Sequence, residues 1–201
     1  MGYMTAEEIR ELEKKSESAG VSKLQLMENA GKKIYEILEE KLGLEGKKVI
    51  IACYHGNNGG DGFVAARYLA DVCEVDVLFL GDKEKMKSKA RVNYAILSKR
   101  YDIQQFTDYD IDYNSYDIII DAIFGIGIEG DINGSAGFAI DFINSAKAYN
   151  VSVDVPSGID PDTGKSANKH IEPDLIITMH AMKKGLEKFK DKTVVADIGI
   201  K

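Results

Sequence analysis

The sequence predicts an α/β fold in which a mostly parallel sheet lies between layers of helices. Three observations carry this. Seven short runs rich in Val, Ile and Leu recur along the 201 residues. Most are nearly all apolar, as strands buried on both faces are. Helical patterns separate several of these runs, and no repeat, linker or low-complexity stretch breaks the alternation, so the strands connect by crossovers.

The elements follow in order. Thr5-Ala-Glu-Glu8 fits a capping box and opens a charged helix that runs to about Ala19, where Gly20 stops it. Ser22-Lys-Leu-Gln25 repeats the signal. The helix it opens carries Leu24, Met27, Ala30, Ile34, Leu38 and Leu42 at three- and four-residue steps, an amphipathic stripe. Strands are expected at 48–53, 74–80, 103–106, 116–122, 151–155, 174–178 and 193–198. Helices are expected at 62–72, 85–99 and 136–149. The whole chain, 1–201, reads as one domain, with helices over 1–45 and an α/β core over 46–201.

Composition narrows the function. Hydrophobic residues make up 44% and charged residues 29%, ordinary for a globular domain. The net charge of −7 argues against an extended nucleic-acid footprint, which needs a basic face. It leaves room for one phosphorylated small molecule, which needs only local donors. Cys53 and Cys73 lie in or beside apolar segments and read as buried thiols; no disulfide framework or zinc spacing is present. No signal peptide or membrane span is visible, so the chain reads as cytoplasmic.

In open α/β sheets, ligands bind beyond the carboxyl ends of the strands. Three such ends are unusual here. Gly56-Asn-Asn-Gly-Gly-Asp-Gly62 places four glycines between a strand and a helix. Bare backbone at a helix N-terminus is an anion site, so this loop reads as a phosphate cradle. Asp121-Ala-Ile-Phe-Gly-Ile-Gly-Ile-Glu-Gly-Asp131 is the second, and Val153-Asp-Val-Pro-Ser-Gly-Ile-Asp160 the third. Gly125, Gly127 and Gly130 match G-x-G-x-x-G, but after a middle strand and with the helix delayed by Asn133-Gly134, out of context for a standard dinucleotide fingerprint.

Simpler roles stand beside these. Asp61 fits a helix cap, Asp121 a brace for loop amides, and Ser157 a turn hydroxyl. Asn57 and Asn58 suit a turn. Asp154, ending a buried strand, must find donors, a cation or a proton. His55 is the one histidine near a candidate loop in sequence; His170 and His180 are remote. Lys183-Lys184 reads as a solvated face.

In register, the three loops resemble the YjeF N-terminal domain, the family of NAD(P)H-hydrate epimerases. Leu26-Met-Glu-Asn-Ala-Gly31 is similar to the family's N-terminal helix. Thr178 to Leu186 and Val195-Ala-Asp-Ile-Gly199 are similar to its closing segments. The resemblance implies a Rossmann-like three-layer α/β/α sandwich and a repair reaction: interconversion of the R and S epimers of nicotinamide cofactors hydrated at C6. It implies a binding set of Asn57, Asn58, Gly59, Gly60, Asp61, Gly125, Ile126, Gly127, Ile128, Glu129, Gly130, Asp131 and Asp154. It also implies one potassium ion on Asn58, Asp121 and Ser157, oxygen donors suited to a hard cation. The resemblance implies a second copy of the chain as one partner, and an ADP- or ATP-dependent NAD(P)H-hydrate dehydratase as another, expected as a separate protein because this sequence shows no such domain.

The chemistry can be argued from the substrate. C6 carries a hydroxyl beside the ring nitrogen. Lone-pair push expels that oxygen and leaves a planar iminium; water adding to the other face inverts the centre. A carboxyl group that gives a proton and then takes one serves both steps, with Asp154 the first choice and Asp61 the second. Tyr54-His55 stands where family members commonly have Gly-Pro, and Lys183-Lys184-Gly185 only approximates the family ending, which leaves those lysines outside the expected site. The rival readings are a non-catalytic nucleotide- or RNA-binding dimerisation module, expected to lose the acidic residues retained here, and an ordinary NAD-dependent oxidoreductase, for which no catalytic constellation is evident.

Overall fold

A computed structural model describes residues 2–101, 103–105, 111–127 and 130–200, with the backbone alone over 103–105. Seven strands form one sheet: β1 (Lys48–Cys53), β2 (Glu74–Phe79), β3 (Ile103–Gln105), β4 (Ile118–Ala122), β5 (Tyr149–Val153), β6 (Leu175–Met179) and β7 (Thr193–Ala196). Their order is β3-β2-β1-β4-β5-β6-β7, and every neighbouring pair is parallel. The helices are α1 (Ala6–Ser18), α2 (Lys23–Leu42), α3 (Asn57–Leu69), α4 (Ser88–Leu97) and α5 (Gly134–Ser145).

Alternation along β1 shows the layers. Val49, Ile51 and Cys53 pack with Ile34 and Leu38 of α2, Phe63 and Leu69 of α3, and Leu97 of α4. Ile50 and Ala52 face the other way, onto Ala136, Ala139, Ile140 and Ile143 of α5. Both faces of the sheet are therefore covered, as the apolar strands require. A smaller cluster of Val155, Ile159, Ile176 and Leu186 closes the β6 side.

The expected caps are present. Thr5 and Glu8 form the reciprocal capping box of α1, and the Ser22 side chain accepts the Gln25 N–H at α2. The Leu26–Gly31 segment seats α2 on α3. Glu28 accepts from Tyr68 Oη (2.8 Å) and Arg67 Nη2 (2.5 Å), while a Cβ on Gly31 would lie 2.3 Å from Val64 Cγ1.

Two boundaries differ from expectation in ways that shape the site. α3 begins at Asn57, five residues before the expected start, so Asn57–Gly62 is helix rather than loop. β5 stops at Val153 instead of residue 155, because Asp154 takes a positive φ of 67° that no strand continues. No helix among the described residues is long and apolar enough to cross a membrane.

Candidate active site

The order of strands reverses between β1 and β4, so the chain leaves these two neighbours in opposite directions. Their carboxyl ends open a crevice where α/β sheets bind ligands. A cavity of about 490 Å³ occupies it. Gly56, Asn57, Asn58 and Asp61 line it after β1, Ile123 to Gly127 after β4, Asp154 after β5, and Met179 and His180 after β6. The three loops singled out in the sequence therefore meet at one place.

The glycines after β1 act differently from a bare cradle. A Cβ at Gly59 would stand 1.9 Å from the Tyr54 carbonyl oxygen, and one at Gly60 would stand 2.6 Å from Met27 Cε. At Gly62 it would meet Ala122 Cβ and Cys53 Sγ at 2.7 Å. They let α3 press its first turns onto β1, β4 and α2. Gly56 is the N-cap and gives no side-chain cap, and Gly56, Asn57 and Asn58 line the crevice, so the start of α3 offers an anion site there.

Asp61 is the fifth residue of α3, too far in to cap it. Its side chain lines the cavity, half-buried. Burial, reinforced by the negative charges of Asp154 and Glu13, pushes its carboxyl well above the ordinary 3.8. Asn58 is only 8% exposed, and among the described residues neither Oδ1 nor Nδ2 has a hydrogen-bond partner. A buried amide left unpaired is costly, so a ligand, ion or water is the expected partner.

Asp121 sits at the end of β4, 1% exposed. It accepts from Ser157 Oγ (2.5 Å), Ser157 N (2.9 Å), Ser152 Oγ (2.9 Å) and Ile123 N (3.2 Å). Burial raises its pKa and these donors lower it. The carboxylate thus ties β4, β5 and the third loop together, the bracing role open to it from sequence. Ser157 Oγ also accepts from Phe124 N at 2.9 Å.

Asp154 is held in an unusual backbone state. Its φ is +67°, Val155 N donates to Val153 O (2.9 Å), and its own N–H donates to Ile177 O (2.8 Å). A three-residue turn of this hand is rare and strained for a side-chain-bearing residue. The next strand ends alike: His180 has φ +65°, and Ala181 N donates to Met179 O at 2.7 Å. The Asp154 Oδ1 atom accepts from Met179 N (3.3 Å) and is ion-paired with Lys183 Nζ. The Oδ2 atom lies against Gly125, where a Cβ would come within 3.1 Å of it and 3.4 Å of Asn58 Oδ1. Gly125 is therefore glycine because two polar side chains converge over it.

The remaining predicted residues divide. Ile126 and Gly127 line the main cavity, and Gly127 has open space where a side chain would be. Asp131 lines an adjoining recess with Tyr54, Phe124 and Gly127, and Gly130 turns the chain with φ +76°. Ile128 and Glu129 lie outside the described residues. The Tyr54-His55 pair builds an aromatic wall: Tyr54 lies against His55 with the rings tilted by 33° (4.0 Å) and meets Phe124 edge-on (5.0 Å). His55 Nδ1 accepts from Asp82 N (3.3 Å), and burial lowers its pKa.

Four residues come from places the sequence did not flag. Arg10 and Glu13 of α1 line the cavity, and Arg10 Nη2 donates to Ile126 O at 2.9 Å. Burial pushes the Glu13 carboxyl up. His180, remote in sequence from the loops, lines it too. Lys183, expected on a solvated face, is fully buried beside Asp154.

A parallel sheet covered on both faces, with its pocket at the point of strand-order reversal, defines a doubly wound α/β protein. The chain belongs to the YjeF-related protein N-terminus family, whose model matches residues 23–185. It is 39% identical over 194 residues to the NAD(P)H-hydrate epimerase of Nitrosopumilus maritimus, covering 94% of this chain and 90% of that one. It is 38% identical to the enzyme of the same name from Cenarchaeum symbiosum, covering 98% and 95%. The bifunctional NAD(P)H-hydrate repair enzyme Nnr of Methanothermobacter thermautotrophicus is 39% identical over 92% of this chain, which spans only 38% of that protein. The crystal structure of yeast ynu0 superimposes with a TM-score of 0.85 at 21% identity, covering 97% of this chain and 87% of that one, and so shows the same fold.

Proposed function

We propose that this protein is an NAD(P)H-hydrate epimerase that interconverts the R and S epimers of NADHX and NADPHX. One observation carries the reading. At the switch point, Asp154 has one carboxylate oxygen anchored and the other directed to the spot where Asn58 is unpaired, with Asp61 on the same cavity wall. Relatives 36–39% identical over nine-tenths or more of the chain bear that enzyme's name.

The reaction balances without redox. A carboxylic acid donates its proton to the C6 hydroxyl, the C–O bond breaks with electron push from the ring nitrogen, and water leaves. Water then adds to the opposite face of the iminium, and its proton returns to the carboxylate. In this reading Oδ2 of Asp154 moves the proton, and Asp61, held toward its neutral form by burial, is the second donor. Once Asp154 has given up its proton, its carboxylate on the cavity wall favours the cationic intermediate. The first turn of α3 and the Gly125–Asp131 segment receive the dinucleotide, with the aromatic wall of Tyr54 and Phe124 beside it.

Asn58, Asp121 and Ser157 would hold a potassium ion. The unpaired Asn58 oxygen fits such an ion and Ser157 Oγ keeps one lone pair for it, whereas the four acceptor positions of Asp121 are all taken, so its oxygens would reach the ion by giving up a bond. Bound there, potassium would supply a fixed positive charge joining the three loops. The same reading places the protein in the cytoplasm as a homodimer, handing its product to a separate ADP- or ATP-dependent dehydratase.

A coupled assay tests the function. Pure R-hydrate and an S-specific dehydratase are mixed with this protein, with and without potassium. Consumption of R is expected; none under either condition would sink the proposal.

A further inference from the structure

Lys183 is 0% exposed, rare for a lysine, and all three ammonium protons are used. One goes to Asp154 Oδ1, one to Thr178 Oγ1 (2.9 Å) and one to the Met179 carbonyl (2.8 Å). No proton is left for a ligand, so Lys183 acts through Asp154. The acceptors come from two strand ends, and the lysine itself lies beyond the strained turn at His180. Its segment is pinned from outside: Met4 N donates to Met182 O (2.8 Å), and Lys184 N donates to Met4 O (3.0 Å). Thus the chain just before α1 fixes the place of a buried cation.

We propose that Lys183 is a positioning residue, which clamps Asp154 Oδ1 so that Oδ2 alone faces the reacting atoms over Gly125. The clamp answers two problems at once. It supplies the counter-charge for a carboxylate only 13% exposed. It also removes the carboxylate's freedom to rotate, which the strained backbone turn by itself leaves open. Met179 N adds a second, longer donor to the same oxygen, so both fixed contacts fall on Oδ1. Proton transfer depends steeply on such placement, and an offset of about 1 Å costs on the order of 100-fold in rate.

This inference rests on the epimerase reading, and its test separates the two. The full chain with Lys183→Gln keeps a hydrogen-bonding side chain of shorter reach and loses the charge. In the coupled assay kcat is expected to fall on the order of 100-fold, with KM changed by about twofold or less, since Lys183 touches no substrate. In an Asp154→Asn background the same change is expected to cost nothing further, because a residue acting through Asp154 has nothing left to act on. A wild-type kcat in Lys183→Gln, or an equal loss in both backgrounds, overturns the proposal. If Lys183→Gln does not fold, Thr178→Val, which removes one anchor of the ammonium, carries the same comparison with a smaller loss. A crystal structure of the variant gives a readout independent of turnover: Asp154 is expected to leave its place over Gly125, and an unmoved carboxylate overturns the clamp. An inactive wild type would instead sink the epimerase reading and leave that structural outcome to decide this one.

Discussion

Gly59→Ala separates two roles for the glycines at the start of α3. If they formed only a bare cradle, alanine would weaken ligand binding and spare stability. In a helix interior Gly→Ala normally stabilises by about 1 kcal/mol. Here the added Cβ would fall 1.9 Å from the Tyr54 carbonyl oxygen and 2.9 Å from its carbonyl carbon, both main-chain atoms at the end of a central strand. No rotamer change relieves that contact, so α3 must lift from β1. Overpacking costs roughly 1–3 kcal/mol, and more when backbone has to move, so the clash outweighs the propensity gain. A net loss of about 2 kcal/mol corresponds to a fall in Tm of roughly 4–8 °C for a chain of this size. Thermal unfolding by circular dichroism reads it, with Gly127→Ala as the comparison. Nothing lies within 4 Å of a Cβ at 127, so that variant is expected to keep its stability. A Gly59→Ala protein as stable as the parent would refute the packing argument.

Other expectations follow from the same geometry. Asp154→Asn should lower kcat by about 100- to 10,000-fold, since it removes the acid/base group while keeping its shape; isothermal titration with an ADP-ribose ligand should still show binding. Asp61 has a folded-state pKa raised above its unfolded value, so the folded protein binds the extra proton and stability falls as pH rises past the ordinary carboxylate range. Asp61→Asn should therefore raise Tm at pH 7 to 8 and leave it unchanged near pH 3, the opposite of what a stabilising ion pair would do. Potassium should raise the Tm of the wild type and not that of Asn58→Ala, by mass action on the folded state.

The parts of this structure legible in sequence are those that local patterns determine. Apolar β-branched runs such as 49–51 and 118–120 fit strands buried on both faces, and the Thr5 and Ser22 caps mark the starts of their helices. The meeting of Asn58, Gly125 and Asp154 is legible because ligands gather at strand ends. The start of α3 was not, since glycine-rich helix turns look like loop until a close neighbour such as Tyr54 is known. Lys183 was missed for a related reason. Two adjacent lysines suggest solvent, and only the docking of β6 beside β5 supplies the partner that permits burial. Glu13 gave no signal at all. Its place in the cavity wall depends on how α1 is fastened to Ile126 and to the Met182–Lys184 segment, and α1 lies outside the family match.

The left-handed turn at Asp154 bears on how this protein could be stabilised. A glycine there would relax a conformation that costs about 1–3 kcal/mol when a side chain must adopt it. The chain keeps an aspartate, and the rest of the fold absorbs the difference. Removing that side chain alone would leave the buried Lys183 ammonium without its counter-charge, at a cost of about 3–5 kcal/mol, so selection for heat resistance should favour losing Asp154 and Lys183 together, and selection for turnover should keep both. The carboxyl end of β5 is where those two pressures pull against each other.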